Sequence, residues 1–232
     1  MVYYFKAKVS EETEYSDFGL DDEKEYTIYM GKDKHENDPL IKKSHPKNLW
    51  FHVDKHSSAH LYLQLSLEEQ SIKFEDLKLE ESLLTQLGQL TKANSIKANK
   101  LNNITIIYTP VDNLYTDGTM DTGTVSFNNG QKVKRIHINK KENSIVNKLN
   151  KTKNEVSIEE FISNQQTLIT NWQSNKKMIE RNLEQQRKEE AKLNDLQKQK
   201  NSDPYADLFN ETSVNANSNE FRNENWVEED FW

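Results

Sequence analysis

Glycine and proline are distributed unevenly along this chain of 232 residues. All six glycines and three of the four prolines precede residue 131, and neither type occurs between Gly130 and Pro204. Both residues interrupt regular structure, proline because it lacks a backbone N–H and glycine because of its conformational freedom. The first 130 residues are therefore expected to be rich in turns, as in an α+β domain, whereas the segment that follows can form a long helix.

Composition limits how much of the chain can be globular. Hydrophobic residues make up 34% and charged residues 30%, which is too polar for the whole length to pack into one core. We predict a compact α+β domain over residues 1–153, with a mostly antiparallel sheet and packed helices. A long helix over residues 154–200 and a disordered acidic tail over residues 201–232 are predicted to follow, and an acidic loop is predicted over residues 10–25.

Several classes of protein are excluded or disfavoured. Cysteine is absent, which excludes disulfides, thiolate metal sites and a cysteine nucleophile. No apolar run approaches the ~18 residues of a membrane helix, and the start lacks a signal-peptide pattern. We expect a non-enzymatic protein of the cytoplasm or nucleus, without a cofactor, a metal site or a membrane partner.

The net charge of −7 conceals a segregated distribution. Residues 31–153 contain nineteen Lys and Arg against fourteen Asp and Glu, whereas residues 201–232 contain one Arg against eight acidic residues. A mildly basic middle is thus flanked by acidic ends, and this middle section fits an anionic partner.

The pattern of apolar residues predicts the main elements. Strands are expected at residues 2–9, 26–30, 104–109, 123–127 and 132–138, and helices at residues 38–43 and 75–90. Asn129-Gly130 predicts a tight hairpin turn between the last two strands. From residue 158 a heptad-like pattern predicts the long helix, through Ile158, Ile162, Ile169, Trp172, Ile179, Leu183 and Leu193. Two interpretations stay open: a helix packed on the domain by its first half, or a self-associating coiled coil.

Residues 49–53 and 59–65 are predicted to be the two arms of a hairpin. Side chains alternate between the faces of a strand, so Leu49, Phe51 and Val53 share the core face with Leu61 and Leu63. Keeping both apolar sets on one face with a three-residue loop at residues 55–57 places Trp50 opposite Tyr62 and His52 opposite His60. The outer face then consists of Trp50, His52, Asp54, Ser58, His60, Tyr62 and Gln64.

This outer face admits four interpretations. His52 and His60, with Asp54 or His56, could ligate a metal, or the histidines could form a catalytic pair, although no nucleophile lies near them. The aromatic and imidazole rings suit recognition of single-stranded nucleic acid by stacking and hydrogen bonds. Alternatively, a second layer covers the face and the histidines are hydrogen-bonded inside. We favour recognition.

Lysines elsewhere can extend such a surface. Lys92, Lys97 and Lys100 belong to a tandem Lys-Ala-Asn stretch that also contains Ser95, and Lys132 and Lys134 lie on the last predicted strand. Phosphate contacts of this kind supply much of the affinity for nucleic acids. In the acidic tail, two aromatic patches predict docking peptides for a protein partner, through Tyr205, Leu208, Phe209, Trp226, Phe231 and Trp232; transient packing on the parent domain is the alternative.

Several blocks, in order, resemble the NFACT-R domain, and the whole chain resembles its stand-alone form, the coiled-coil-domain-containing protein twenty-five family. The blocks are residues 29–34 with Asn37, Asp38 and Leu40, then residues 49–54, 57–60, 92–95 and 108–110. The resemblance implies an α+β domain with a helical extension and a role in binding RNA, tRNA or ribosomal RNA, at the ribosome or in ribosome-associated quality control.

The resemblance also adds Gly31, Lys32, Asn37 and Ser57 to the candidate nucleic-acid-binding residues. The acidic loop and the aromatic tail depart from the family pattern. A protein-interaction adaptor, acting through the long helix and the tail, remains the alternative function.

Overall fold

The computed structural model describes residues 1–10, 23–117, 120–121 and 123–202. The elements in this part are β1 (Val2–Ser10), β2 (Glu23–Gly31), α1 (Lys34–Lys43), β3 (Leu49–Val53), β4 (Leu61–Gln64), α2 (Leu67–Ser71), α3 (Glu81–Ala93), β5 (Ile104–Pro110), β6 (Leu114–Tyr115), β7 (Ser126–Phe127), β8 (Lys134–Ile138), α4 (Asn143–Asn150), β9 (Asn154–Val156) and α5 (Ile158–Ser202). Most of the predicted acidic loop and almost all of the predicted tail lie outside the described residues.

Seven strands form one antiparallel sheet in the order β8-β5-β3-β4-β2-β1-β9, and β6 and β7 form a separate two-stranded hairpin. The predicted fold class is confirmed: a mostly antiparallel sheet with packed helices, then a long C-terminal helix. Strand β3 lies near the middle of this sheet, between β4 and β5, so its backbone is paired on both sides.

Both faces of the sheet are buried, against different elements. The first face carries the larger core, including Phe5, Phe51 and Leu63, and α3 packs across it. The second face carries a smaller core, in which Trp50, Tyr29 and Tyr62 meet Leu40 of α1 and Phe161 of α5. Alternate residues of each central strand therefore face different cores, which is typical of strands covered on both sides.

The predicted hairpin register is correct. Leu49 pairs with Leu63, Trp50 with Tyr62 and Phe51 with Leu61. The ladder ends there, so His60 lies just before β4 rather than within it. The core face is also as predicted, because Leu49, Phe51, Val53, Leu61 and Leu63 all belong to the larger core.

The hairpin predicted at Asn129-Gly130 is wrong. Strand β7 pairs with β6, and β8 pairs with β5 at the sheet edge. The side chain of Asn113 explains the difference, because its amide donates to the carbonyl of Asn129 and accepts from the N–H of Asn129, at 2.9 and 2.8 Å. With these backbone groups occupied, the segment forms a 3₁₀ turn over Gly130–Lys132 instead.

The helix predicted at residues 75–90 begins later, as α3, at Glu81. The segment before it is held by Lys134, whose ammonium donates to the carbonyls of Phe74, Glu75 and Leu77 at 2.9, 3.4 and 3.3 Å. Leu77 is buried in the larger core all the same. Helices α2 and α4 and edge strand β9 were not predicted.

The long helix was predicted over residues 154–200, but it begins at Ile158, where the heptad-like pattern begins, because Asn154–Val156 pairs with β1 as strand β9. The chain divides into two units, Met1–Gln173 and Ser174–Trp232. Within the first unit, Phe161 and Gln165 of α5 are buried. The amide oxygen of Gln165 accepts from the N–H of His45 at 2.9 Å and from the side chain of Asn48 at 3.3 Å.

Within the second unit, α5 exposes its apolar residues. Between 47% and 63% of the surface of each of Met178, Ile179, Leu183, Leu193 and Leu196 is exposed. The described helices include none that combines the length and the apolar character of a membrane span.

The packing of α3 on β8 depends on Gly88. A Cβ atom added there would lie 2.7 Å from Cδ1 and 2.9 Å from Cγ1 of the buried Ile138. We predict that Gly88→Ala lowers the free energy of unfolding by ~1–3 kcal/mol, because a close-packed core must shift to admit the methyl group. Urea unfolding measures this change.

Gly130→Ala is the matched control. A Cβ atom at Gly130 would meet nothing within 4 Å, so its effect should stay within ~0.5 kcal/mol. Equal stabilities of the two variants would contradict the proposed close contact.

Candidate functional site

A cleft of about 710 Å³ opens beside the turn that joins β3 to β4. We call it the hairpin cleft. Its lining brings together many residues that the sequence singled out: Gly31, Lys32, Asn37, Trp50, His52, Ser57, Ser58 and His60. Three separate stretches of the chain supply them, because β2 and β3 both lie beside β4 and α1 follows β2 directly.

Aromatic rings form the floor of the hairpin cleft. The rings of Trp50 and His52 are stacked, 5.3 Å apart with an interplanar angle of 3°. His60 presents its ring edge-on to both of them, at 5.2 Å, and Phe127 of β7 lies edge-on to Trp50 at 5.8 Å. The predicted His52–His60 pairing thus appears as a ring contact just beyond the end of the ladder.

The expectation of an open outer face is wrong. Trp50 is 1% exposed, Tyr62 is fully buried and His60 is 4% exposed. The β6–β7 hairpin, α1 and the start of α5 form a second layer over this face, and Tyr62 stacks on Tyr29 with ring centroids 4.9 Å apart. Of the predicted outer face, His52, Asp54, Ser58 and Gln64 are half-buried, and His52 and Ser58 among them line the cleft.

Burial keeps His52 and His60 neutral. Burial, with a smaller contribution from the neighbouring His52, lowers the pKa of His60 to about 3. Burial also lowers the pKa of His52, against the opposing effects of the Val53 carbonyl and Asp54. Neutral imidazoles can stack and hydrogen-bond, but they do not attract phosphate as cations do.

The proton of His52 has a defined position. Its Nδ1 lies 2.8 Å from the carbonyl oxygen of Val53. A carbonyl oxygen only accepts hydrogen bonds, so Nδ1 is the protonated nitrogen and Nε2 is left with a free lone pair. Two other polar atoms, Nε1 of Trp50 and Nδ1 of His60, are buried without a hydrogen-bond partner among the described residues.

Positive charge lies at the rim. Lys32 and Lys55 line the cleft and are exposed. Lys55 adopts φ 62°, a left-handed conformation that few residues other than glycine favour. The N-terminus of α1, by contrast, is already occupied by carboxylates: Asp33 accepts from the N–H groups of His35 and Glu36, at 2.8 and 3.3 Å.

The Lys-Ala-Asn-Ser stretch, residues 92–95, holds the turn between β3 and β4 in place through hydrogen bonds. The carbonyl of Asn94 accepts from the N–H of Ala59 at 3.0 Å, and the hydroxyl of Ser95 donates to the carbonyl of Ser57 at 2.6 Å. Ser95 is buried. Ser95 therefore supports the rim from a covered position, where it cannot contact nucleic acid directly as the sequence suggested.

The position of Lys92 also differs from the prediction that this residue binds nucleic acid. It is fully buried, its ammonium donates to the carbonyl of Leu101, and burial lowers its pKa. Lys134 is likewise engaged, by three carbonyls and by the ring of Phe74, 4.6 Å away. These two ammonium groups hold loops in place and are not free to bind phosphate.

The remaining predicted residues lie outside the cleft lining. Lys97 and Lys100 are exposed on and next to the 3₁₀ turn Ala98–Lys100. Lys132 lines a second cavity, of about 620 Å³, and lies 3.9 Å from Glu75. Asp54 is half-buried beside the cleft. The predicted docking residues of the tail lie outside the described residues.

Sequence reasoning missed several cleft residues. Lys55 was predicted only as part of a turn, and His56 as part of that turn and as a possible metal ligand. Tyr3, Thr124, Val125 and Phe127 were not connected with the hairpin at all. The described part of the chain holds no group of three or more His, Asp or Glu side chains arranged for a metal ion.

Comparisons with known proteins match the part of the chain that forms the cleft. The family model described as NFACT protein RNA binding domain matches residues 1–129, the segment that contains the whole hairpin cleft. Coiled-coil domain-containing protein 25 of Bos taurus is 49% identical over 130 residues, which cover 56% of this chain and 60% of that protein. Protein JLP2 of Saccharomyces cerevisiae is 38% identical over 158 residues, 67% of this chain and 69% of its own length.

One solved structure is similar at lower identity. The C-terminal part of the fibronectin/fibrinogen-binding protein from Streptococcus suis is 18% identical, with a TM-score of 0.43, and the alignment covers 63% of this chain and 48% of that one.

The buried histidines predict a loss of stability in mild acid. Burial holds the pKa of His60 at about 3 and that of His45 at about 4, below the ~6.5 of an unfolded histidine. Below pH ~6.5 the unfolded chain therefore binds more protons than the folded one, and stability falls as the pH is lowered from ~6.5 towards 4.

Urea unfolding between pH 7 and pH 5 tests this prediction. His60→Gln should reduce the dependence of unfolding free energy on pH, whatever its effect on stability at pH 7. An unchanged slope in the variant would show that His60 is not held neutral.

Proposed function

Because the chain belongs to the family of NFACT RNA-binding domains, we propose that it binds RNA through the hairpin cleft. The RNA is a tRNA or a ribosomal RNA, met in translation or ribosome-associated quality control, which places the protein in the cytoplasm. The observation that supports this most is the convergence of three sequence blocks on one cleft.

The floor and the rim of the cleft offer different interactions to an RNA. At the floor, the half-buried rings of His52 and Phe127 offer surfaces for stacking a base. Lys32 and Lys55 at the rim are exposed cations with no carboxylate partner among the described residues, so they are available to phosphates. This combination suits RNA better than it suits a protein surface, which would need a larger open apolar area.

We propose binding without catalysis. A catalytic pair would need a nucleophile next to one of the histidines. The hydroxyl of Ser58 is committed to the backbone, since it accepts from the N–H of Val53 at 3.1 Å and donates to the carbonyl of Ala59 at 3.2 Å.

A second candidate function is that of a protein-interaction adaptor. The exposed apolar residues of α5, Met178, Ile179 and Leu183 among them, favour it. In this alternative the helix and the tail bind a protein partner, and the cleft plays no part.

Variants at the rim test RNA binding without disturbing the core. Truncation of Trp50 is unsuitable, because loss of so large a buried ring costs ~3–5 kcal/mol of stability. Lys55→Gly removes the ammonium and suits the observed φ of 62°, so the fold should be kept. In the double variant with Lys32→Gln, we expect RNA to bind about twofold to tenfold more weakly. The slope of log affinity against log salt concentration should become shallower by about one to two.

Fluorescence anisotropy with labelled tRNA over a range of salt concentrations measures both quantities. Lys148→Gln on α4, an exposed lysine outside the cleft, removes an equal charge and is the control. Equal weakening by Lys148→Gln would indicate diffuse attraction rather than binding at the cleft, and the absence of any salt-sensitive RNA binding would refute the proposal.

Deletion of residues 201–232 separates the two candidate functions. An RNA-binding role predicts unchanged affinity for tRNA, or a slight gain, because eight acidic residues are removed with one Arg. An adaptor predicts the loss of co-purified protein partners instead. Loss of RNA binding in the truncated protein would show that RNA binds through the tail and not through the cleft.

A further inference from the structure

We infer that the hairpin cleft admits one unpaired nucleotide, which donates a hydrogen bond to Nε2 of His52. This inference rests on the proposed RNA binding.

Depth is the first reason. The rings at the floor are recessed, with Trp50 and His60 almost wholly covered and His52 half-buried. A base within a duplex has its faces stacked and its pairing edge occupied, so it cannot enter a recess without leaving the helix. Only a base that is already unpaired, in a loop, a bulge or an end, reaches the floor without first breaking a base pair.

Size is compatible with this occupant. The cleft encloses about 710 Å³, within the ~300–1,000 Å³ range of sites that hold a small ligand. One nucleotide fits such a volume, while its neighbours in the strand would stay at the rim, near Lys32 and Lys55.

The protonation of the His52 ring determines which hydrogen bond it can form with a ligand. Its Nδ1–H is committed to the carbonyl of Val53, 2.8 Å away, and the ring is stacked on Trp50. The remaining nitrogen, Nε2, is therefore a fixed acceptor, and it has no partner among the described residues. A phosphate diester has no proton to donate. The matching group is an N–H of a base or the 2′-hydroxyl of a ribose.

The buried polar atoms of the floor are an independent observation. Nε1 of Trp50 and Nδ1 of His60 belong to side chains that line the cleft and are more than nine-tenths buried, yet neither has a partner among the described residues. Buried polar atoms in folded proteins are nearly always hydrogen-bonded. Unpartnered polar atoms in side chains that line the cleft therefore favour a polar ligand over an apolar peptide side chain.

Two RNA hairpins that differ by one bulged nucleotide test the inference with the wild-type protein. We expect the bulged hairpin to bind at least tenfold more tightly than the fully paired one. Replacing the bulged nucleotide by a 2′-deoxy abasic residue, which lacks both candidate donors, should remove most of that preference. Equal binding of paired and bulged RNA, or full affinity for the abasic bulge, would overturn the inference while leaving RNA binding intact.

Variants of His52 test the hydrogen bond. His52→Phe keeps a ring to stack on Trp50 but has no acceptor, so the preference for the bulge should disappear and the affinity for paired RNA should remain. His52→Gln retains an acceptor oxygen and should preserve part of the preference. Equal loss of affinity for both RNAs in His52→Phe, with the fold confirmed by circular dichroism, would contradict a bond to the unpaired nucleotide.

A single 2′-deoxy substitution at the bulge identifies the donor. If it lowers wild-type affinity as much as His52→Phe does, the ribose hydroxyl donates; if affinity is unchanged, the base does. If no hairpin binds in a salt-sensitive manner, the proposed RNA-binding function itself fails, which is a different result from a lost preference.

Discussion

The packing of Trp50, Tyr62 and Tyr29 on the second face of the sheet is the constraint on which the rest of this structure depends. These side chains are almost fully buried, and Tyr62 stacks on Tyr29 at 4.9 Å. Because they project from the face opposite the larger core, a second set of elements must cover them, and α1, the β6–β7 hairpin and the start of α5 do so. Both faces of the sheet are thereby covered, and the exposed or half-buried residues at the turn of the β3–β4 hairpin lie in or beside the cleft.

This closure explains the chemistry of the hairpin cleft. The same burial that orders the rings of His52 and His60 also removes their charge, because water no longer stabilises the protonated form. Attraction for an anion therefore has to come from the rim, where Lys32 and Lys55 are exposed. The cleft thus has a neutral, hydrogen-bonding floor and a cationic edge, a separation that an open strand face with exposed histidines would not have.

Lysine residues in this chain serve two purposes that the sequence does not distinguish. Lys92 and Lys134 are bonded to backbone carbonyls and hold the loops behind and beside the sheet. Lys32 and Lys55, by contrast, are exposed at the cleft, with no carboxylate partner in the described part of the chain. Ser95 and Asn94 show the same pattern, since both fix the turn that forms the rim through hydrogen bonds to Ser57 and Ala59. Residues in a motif associated with binding can therefore act by shaping the site rather than by touching the ligand.

The sequence by itself determined the local features: the strands β1 to β5 in outline, the start of α5 at Ile158, and the register of the β3–β4 hairpin. Alternation of apolar residues is a local property, and a slip of one residue would have turned Leu61 and Leu63 away from the core. It also identified most of the cleft residues, through three blocks of the chain. The tertiary structure alone decided that Trp50 is covered, that β7 pairs with β6, and which lysines are free. Those outcomes depend on contacts between residues far apart in the chain, such as Asn113 with Asn129 and Phe127 with Trp50, and no pattern within a single element encodes which distant segment will cover its other face.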